Sequence, residues 1–138
     1  MPIRVVRLGT PRSADEGIRL GTVRRPPRGV PKRDFARRDF YDVWLPELAP
    51  TAATVSWALA DPWTPARWRR YERIYLKEMA TPAARHLIEL LATLSKSTNL
   101  AVGCYCEDAS HCHRSLLARL LADAGAVMAG EEDEPATV

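Results

Sequence analysis

The chain has 138 residues, of which 46% are hydrophobic and 27% are charged, and its formal net charge is +3. These values are typical of one globular domain that is large enough to bury a core without disulfides. The three cysteines are an odd number and are clustered, which excludes a secreted disulfide scaffold. No apolar run is long enough to span a membrane and no signal peptide is recognisable, so we expect a cytoplasmic protein with no membrane partner.

The charge is unevenly distributed along the chain. Residues 1–38 contain eleven Lys and Arg against three Asp and Glu, a net charge of +8, whereas residues 131–134 are all acidic. We call residues 24–38 the basic arm; its Pro-rich first part, RRPPRGVPKR, predicts a loop. A basic segment of this kind suggests a phosphate-bearing small molecule or a nucleic acid as partner. The alternative is a solvated loop with a few structural ion pairs.

Two short strands are predicted first along the chain. IRVVRL (3–8) is rich in β-branched residues and is followed by turn residues, and IRLGTV (18–23) is a second strand interrupted by a glycine. After the basic arm, residues 41–50 are expected to be extended and irregular. Within them, Trp44 and Leu48 are the predicted anchors into the core.

Three helices are predicted next, over 51–60, 64–80 and 81–94. Each begins with a threonine, and in the second and third a proline occupies the first helical position, which is a strong start signal. Aromatic residues in the second helix and leucines in the third recur with the helical period. We assign these residues to packing.

The C-terminal part predicts a strand followed by a helix. NLAVGCY (99–105) is apolar throughout its centre, as expected of a strand buried on both faces, and a helix is predicted over 112–123. The element order is therefore β-β-α-α-α-β-α, which predicts one compact α/β domain over residues 1–125 with a small mixed or parallel sheet covered by helices. Residues 126–138 are predicted to be a flexible acidic tail.

Several motifs dispersed along the chain support a family resemblance. They are the opening strand, Pro27-Arg28-Gly29 followed by Lys32, W-x-x-x-L-A-P-T at 44–51, W-x-x-Y-x-x-x-Y at 68–75, and the terminal strand–CxC–loop–CHRSLL–helix. With these motifs the chain resembles the YeaO-like branch of the domain of unknown function 488 family. It departs from the family pattern at residues 22–26, where relatives carry an acidic residue, an Arg and a Trp. The resemblance implies a compact α/β domain and supplies no activity.

The motif CYCEDASHCHR (104–114) holds all three cysteines and two of the three histidines, and three hypotheses explain it. The first is a metal or thiol-redox site. Cys104, Cys106 and Cys112 with His111 or His113 would form a Cys₃His set, which suits tetrahedral zinc. Against this hypothesis, all four ligands come from one ten-residue segment, without the paired knuckles of strong zinc signatures.

The second hypothesis is a nucleophilic thiol. Cys112 precedes the last predicted helix and is followed by His113 and Arg114, so the helix dipole and the positive charges would favour its thiolate. The catalytic candidates are therefore Cys112, His113 and Arg114. The arginine, however, does not have the spacing from a cysteine that is found in phosphatase and sulfurtransferase loops. Whether the protein is an enzyme is left open.

The third hypothesis, which we favour at this point, is an anion site for a phosphate, a nucleotide or a nucleic acid. Ligands of open α/β sheets bind beyond the carboxyl ends of the strands, where loops lead into helix N-termini. His113 and Arg114 open such a helix, and Arg28 and Lys32 of the basic arm would join them around the anion. Relatives without the cysteines keep the histidine, which draws attention to His113. Two alternatives stay open: His113 and Arg114 bond backbone carbonyls, or the basic arm binds nucleic acid without catalysis.

Overall fold

A computed structural model describes residues 2–129 of the chain. The described residues contain one sheet of four parallel strands in the spatial order β1-β4-β2-β3. The strands are β1 (Ile3–Arg7), β2 (Ile18–Gly21), β3 (Val43–Trp44) and β4 (Leu100–Cys104). Because all strands are parallel, their carboxyl ends meet at one edge of the sheet, which is where the cysteines lie.

Four α-helices accompany the sheet. They are α1 (Ala52–Ala60), α2 (Pro65–Glu78), α3 (Pro82–Leu94) and α4 (His113–Asp123). The hydroxyls of Thr51 and Thr64 accept hydrogen bonds from backbone N–H groups in the first turns of α1 and α2, as their N-cap positions predict. None of the helices in residues 2–129 is both long enough and apolar enough to cross a membrane.

The predicted fold class, a single α/β domain, is confirmed, and the sheet is parallel. The observed order is β-β-β-α-α-α-β-α, so the predicted order lacked the two-residue strand β3. Trp44 in β3 was expected in the core, and this is wrong: it is 41% exposed at the edge of the sheet, with its indole N–H donated to the Val23 carbonyl at 2.7 Å. An indole has a polar tip, so it can lie at the surface where its N–H finds an acceptor. Leu48 is fully buried, as predicted.

Strand β4 is the centre of the sheet, because it pairs with β1 on one side and with β2 on the other. All five of its residues are buried. Gly103 allows the chain after β1 to approach closely: a Cβ at this position would lie 2.6 Å from Leu8 Cδ2 and 2.9 Å from the Val6 carbonyl oxygen. The main core is formed by side chains of the sheet and of α2, α3 and α4, among them Ile3, Leu20, Tyr75, Ile88, Val102, Leu117 and Leu121.

Arg19 of β2 forms a buried ion pair with Glu16 of the preceding loop. Arg19 has no exposed surface and bonds the Glu16 carboxylate at 2.8 and 2.9 Å. Its guanidinium also donates to the carbonyls of Thr10 and Asp39, at 2.8 and 2.7 Å. A buried arginine with all these acceptors is satisfied, so it connects Asp39, which follows the basic arm, to the loop after β1.

The chain after α4 returns to β1. The Ile3 N–H donates to the Val127 carbonyl at 2.8 Å, and the Ala129 N–H donates to the Ile3 carbonyl at 2.9 Å. Of the predicted tail 126–138, residues 126–129 thus lie beside β1, and residues 130–138 lie outside the described residues.

The buried hydroxyl of Tyr75 allows a test of the packing of α2. It donates to the Leu48 carbonyl at 2.8 Å, so Tyr75→Phe should leave that carbonyl without this partner and lower the free energy of unfolding by about 1–2 kcal/mol. Tyr71→Phe is the control, because Tyr71 is also buried but its hydroxyl makes no hydrogen bond within residues 2–129. Urea denaturation measures both, and equal losses would contradict the assignment.

Candidate functional site

Three thiols meet at the carboxyl end of β4, and we call them the cysteine cluster. Cys104 is the last residue of β4, Cys106 follows it, and Cys112 is the N-cap residue of α4. Their Sγ atoms all lie within 4.8 Å of one another, and the Sγ atoms of Cys104 and Cys106 are 3.6 Å apart. Cys104 and Cys112 are buried, with 7% and 2% of their surface exposed, whereas Cys106 is exposed.

The loop between β4 and α4 brings Cys112 back to the strand end. The Asp108 carboxylate accepts hydrogen bonds from the backbone N–H and the hydroxyl of Ser110, at 3.0 and 2.6 Å, and a 3₁₀ turn follows over Ala109–His111. These bonds from Ser110, together with one from His111, lower the pKa of Asp108 to about 2. The aspartate is therefore a local cap that closes the loop.

His111 connects this loop to α2 and to the segment that leads into that helix. Its Nδ1 lies 2.9 Å from Asp108 Oδ2, its ring is stacked on Trp63 at 5.5 Å between centroids, and it meets the edge of Trp68 at 5.3 Å. The group of neighbouring metal-binding atoms found in the described residues consists of the three thiols. The structure thus places His111, a predicted metal ligand, in an aromatic contact beside the cysteine cluster.

His113 is buried at the first position of α4 and faces two directions. Its Nε2 lies 2.5 Å from the Thr22 carbonyl, and its Nδ1 lies 3.8 Å from the Sγ of Cys112. A carbonyl only accepts hydrogen bonds, so Nε2 carries the proton and the lone pair of Nδ1 faces the thiol. Burial lowers the pKa of His113 to about 4, which keeps the imidazole neutral at neutral pH.

Arg114 carries a buried positive charge close to the cysteine cluster. It is 6% exposed, and its Nη1 donates to the carbonyls of Val6 and Cys104, at 3.2 and 3.5 Å. No ion pair within residues 2–129 includes Arg114, so its charge is not neutralised by a carboxylate. Both His113 and Arg114 therefore bond backbone carbonyls, which is the alternative that the sequence left open beside the anion site.

The other predicted anion ligands lie on the basic arm. Arg28 and Lys32 are exposed, and no hydrogen bond or ion pair within residues 2–129 joins them to His113 or Arg114. The beginning of the arm is nevertheless fixed next to the cluster, because the Tyr105 hydroxyl donates to the Arg25 carbonyl at 3.0 Å. The arm thus starts close to the cysteines.

The three thiols differ in proton affinity. Hydrogen bonds from Cys104 and Cys112, with the positive charge of Arg114 nearby, hold the pKa of Cys106 well below that of a free thiol. The hydrogen bond to Cys106 raises the pKa of Cys104 to about 11, and bonds to the other two cysteines also raise the pKa of Cys112. Of the three thiols, Cys106 is therefore the one that loses its proton most readily.

Sequence reasoning missed two features of this site. The carbonyls of Thr22, Val6 and Cys104 receive the side chains of His113 and Arg114, and backbone acceptors leave no signal in a sequence. The accessible cysteine is Cys106, whereas the predicted catalytic candidate Cys112 is buried. Alternation along β4 could indicate that Cys104 and Cys106 share a side, but not which sulfur is reached by solvent.

The fold and the cluster define a class of protein: a single α/β domain with a parallel sheet and a thiol site at its carboxyl edge. A family model named DUF488-N3a, described as the active DUF488-N3 subclade, matches residues 3–125, so the chain belongs to this family. The predicted resemblance to the domain of unknown function 488 is thereby confirmed. No curated protein and no solved structure shows a significant match.

The buried charge of Arg114 can be tested through stability. Arg114→Met should lower the free energy of unfolding by about 2 kcal/mol, because it removes charge-assisted bonds to two buried carbonyls. Arg119→Met on the same helix is the control: Arg119 forms an exposed ion pair with Glu72, which contributes at most about 1 kcal/mol. Denaturant unfolding of both variants makes the comparison. A larger loss for Arg119→Met would refute the structural role of Arg114.

Proposed function

We propose that the cysteine cluster is a metal centre that binds one thiophilic divalent ion such as Zn²⁺. The observation that carries the proposal is the convergence of three Sγ atoms within 4.8 Å of one another. Zinc binds cysteine sulfur at about 2.3 Å in a tetrahedron, which requires sulfur atoms about 3.8 Å apart. The distance of 3.6 Å between the sulfurs of Cys104 and Cys106 is close to that value. The distances from these sulfurs to Cys112 Sγ are at most 4.8 Å, so they exceed it by no more than about 1 Å.

The fourth ligand in this proposal is His113 rather than His111. The 3.8 Å between His113 Nδ1 and Cys112 Sγ is near the roughly 3.6 Å that zinc imposes between a nitrogen and a sulfur ligand. Because His113 does not lie within 4.8 Å of all three sulfurs, the side chains would have to shift to complete the tetrahedron. Metal-bound histidines usually donate their other ring N–H to a carbonyl or carboxylate, and the Thr22 carbonyl has that position. His111 is instead occupied by Asp108 and Trp63.

The charges of the site agree with a metal ion. Three thiolates, a neutral imidazole and a divalent ion sum to one negative charge, and buried charges need partners. Arg114 supplies one positive charge without a carboxylate of its own. The neutral state of His113 also leaves its Nδ1 lone pair available to the ion.

Metal titration tests the proposal. The protein, reduced and freed of metal, should take up one Zn²⁺ per chain, and Co²⁺ should give thiolate-to-metal charge-transfer absorption. Cys112→Ser and His113→Gln each remove a ligand and should weaken binding by more than the 10–100-fold that loss of an outer partner costs. His111→Gln is the matched control from the same loop and should bind as the wild type does.

The outcomes separate the ligand assignments. Equal weakening by His111→Gln and no effect of His113→Gln would transfer the fourth position to His111. No stoichiometric uptake by a protein with three titratable thiols and a native circular-dichroism spectrum would refute the metal centre.

We propose as a second function that the basic arm binds a phosphate-bearing polyanion, a nucleic acid in the first place, close to the cluster. The observation that favours it is the bond from Tyr105, which fixes the start of the arm beside the cysteines. Five exposed cations of the arm take part in no ion pair within residues 2–129; they are Arg25, Arg28, Lys32, Arg33 and Arg38.

Salt dependence tests the second proposal. Binding of single-stranded and duplex oligonucleotides should weaken steeply with salt, because each phosphate contact releases a counterion. A variant with Arg25, Arg28 and Lys32 changed to Glu should lose at least about tenfold in affinity. A variant with the exposed Arg69 and Arg73 of α2 changed to Glu is the control and should lose less. Binding that is indifferent to salt, or absent at low salt, would exclude the arm as a nucleic-acid site.

A further inference from the structure

We propose that Cys106, while it is a ligand of the metal, is a nucleophile that accepts an alkyl group from a small soft electrophile. This inference rests on the proposed metal centre and assigns a reaction to it. A metal site with sulfur ligands is closed and inert when all its sulfurs are buried. Here one of the three is open to solvent.

Accessibility selects the sulfur. Cys104 and Cys112 are 7% and 2% exposed, so a reagent in solution cannot reach them without local opening. Cys106 lies past the end of β4, before the loop that Asp108 closes, and is exposed. An electrophile that approaches the centre from solvent therefore meets Cys106 first.

The electronic state of Cys106 also favours attack. In the metal-free protein the Cys104 thiol lies 3.6 Å from Cys106 Sγ, within hydrogen-bonding distance, and such a bond stabilises a thiolate and reduces its reactivity. A metal ion deprotonates the cysteines that it binds, so this S–H donor is removed when the ion is bound. The thiolate of Cys106 then faces solvent with lone pairs that no neighbouring thiol occupies.

The substrate class follows from the nucleophile. A thiolate is soft and polarisable, and it attacks saturated carbon that bears a good leaving group. A bond forms between Cys106 Sγ and the carbon, and the bond from the carbon to the leaving group breaks, with the electron pair departing on the leaving group. The thiolate becomes a neutral thioether. The charge lost from the centre is carried away by the leaving group, and no oxidant or reductant is required.

Alkylation of the metal-loaded protein tests the inference. The full-length chain, loaded with one Zn²⁺, is treated with iodoacetamide at neutral pH, and the products are followed by intact mass, peptide mapping and metal analysis. We expect one carbamidomethyl group per chain, located on Cys106, at a rate no lower than that of the metal-free protein. Most of the zinc should be retained when the reaction is half complete. Cys106→Ser should give no adduct on Cys104 or Cys112 under the same conditions, and alkylation in urea confirms that both thiols are intact in that variant.

The results distinguish this inference from the metal centre itself. Zinc that stays bound while Cys106 is protected from iodoacetamide would overturn the nucleophile and leave the metal centre standing. Adducts that appear on all three cysteines, with zinc released in proportion, would also overturn it, because the reacting species would then be free thiols. Failure to bind zinc at all would overturn the metal centre, and this inference with it.

Discussion

The start of α4 holds the functional edge of this protein together through two buried polar side chains. His113 bonds the Thr22 carbonyl just after β2, and Arg114 bonds the carbonyls of Val6 in β1 and Cys104 in β4. Two consecutive residues thus connect one helix to the ends of three strands. Buried polar groups are costly unless they are hydrogen-bonded. These contacts therefore help to fix the position of the first turn of α4, together with its apolar face. Cys112, the residue before them, is placed by the same contacts.

The position of the cysteines follows from this constraint. Cys104 ends the strand whose carbonyl receives Arg114, and Cys112 caps the helix whose first residue is His113. His113 donates from Nε2 to the Thr22 carbonyl, so its Nδ1 is directed at Cys112. The guanidinium of Arg114 places a positive charge near the sulfurs. In this way the residues that fix the helix also determine the surroundings of the thiols: they hold a neutral imidazole nitrogen against Cys112 and place a positive charge near the sulfurs.

Most of the fold could be predicted because local sequence signals mark where its helices and strands begin and end. Thr-Pro pairs mark the starts of α2 and α3, and the apolar run of β4 marks a strand buried on both faces. Strand β3 was missed since two residues at a sheet edge give no periodicity, and Trp44 was misplaced because its exposure depends on one backbone acceptor, the Val23 carbonyl. The roles of His113 and Arg114 also depend on carbonyls that are distant in sequence. A sequence therefore indicates that CHR lies at a strand–helix junction, but not what its side chains bond.

The hydrogen bonds of His113 and Arg114 also favour a function that depends on the cysteine sulfurs. As anion ligands, His113 and Arg114 need free polar atoms, and in this structure His113 Nε2 and Arg114 Nη1 are committed to carbonyls, whereas His113 Nδ1 faces Cys112 and the Nε and Nη2 groups of Arg114 make no hydrogen bond within residues 2–129. What remains available at the edge is that one nitrogen lone pair, three sulfurs and an uncompensated positive charge. A divalent ion would account for the three sulfurs and for the charge, because it balances two of the three thiolate charges and leaves one negative charge for Arg114. An external phosphate would use only the positive charge, and it would compete for that charge with the thiolate of Cys106.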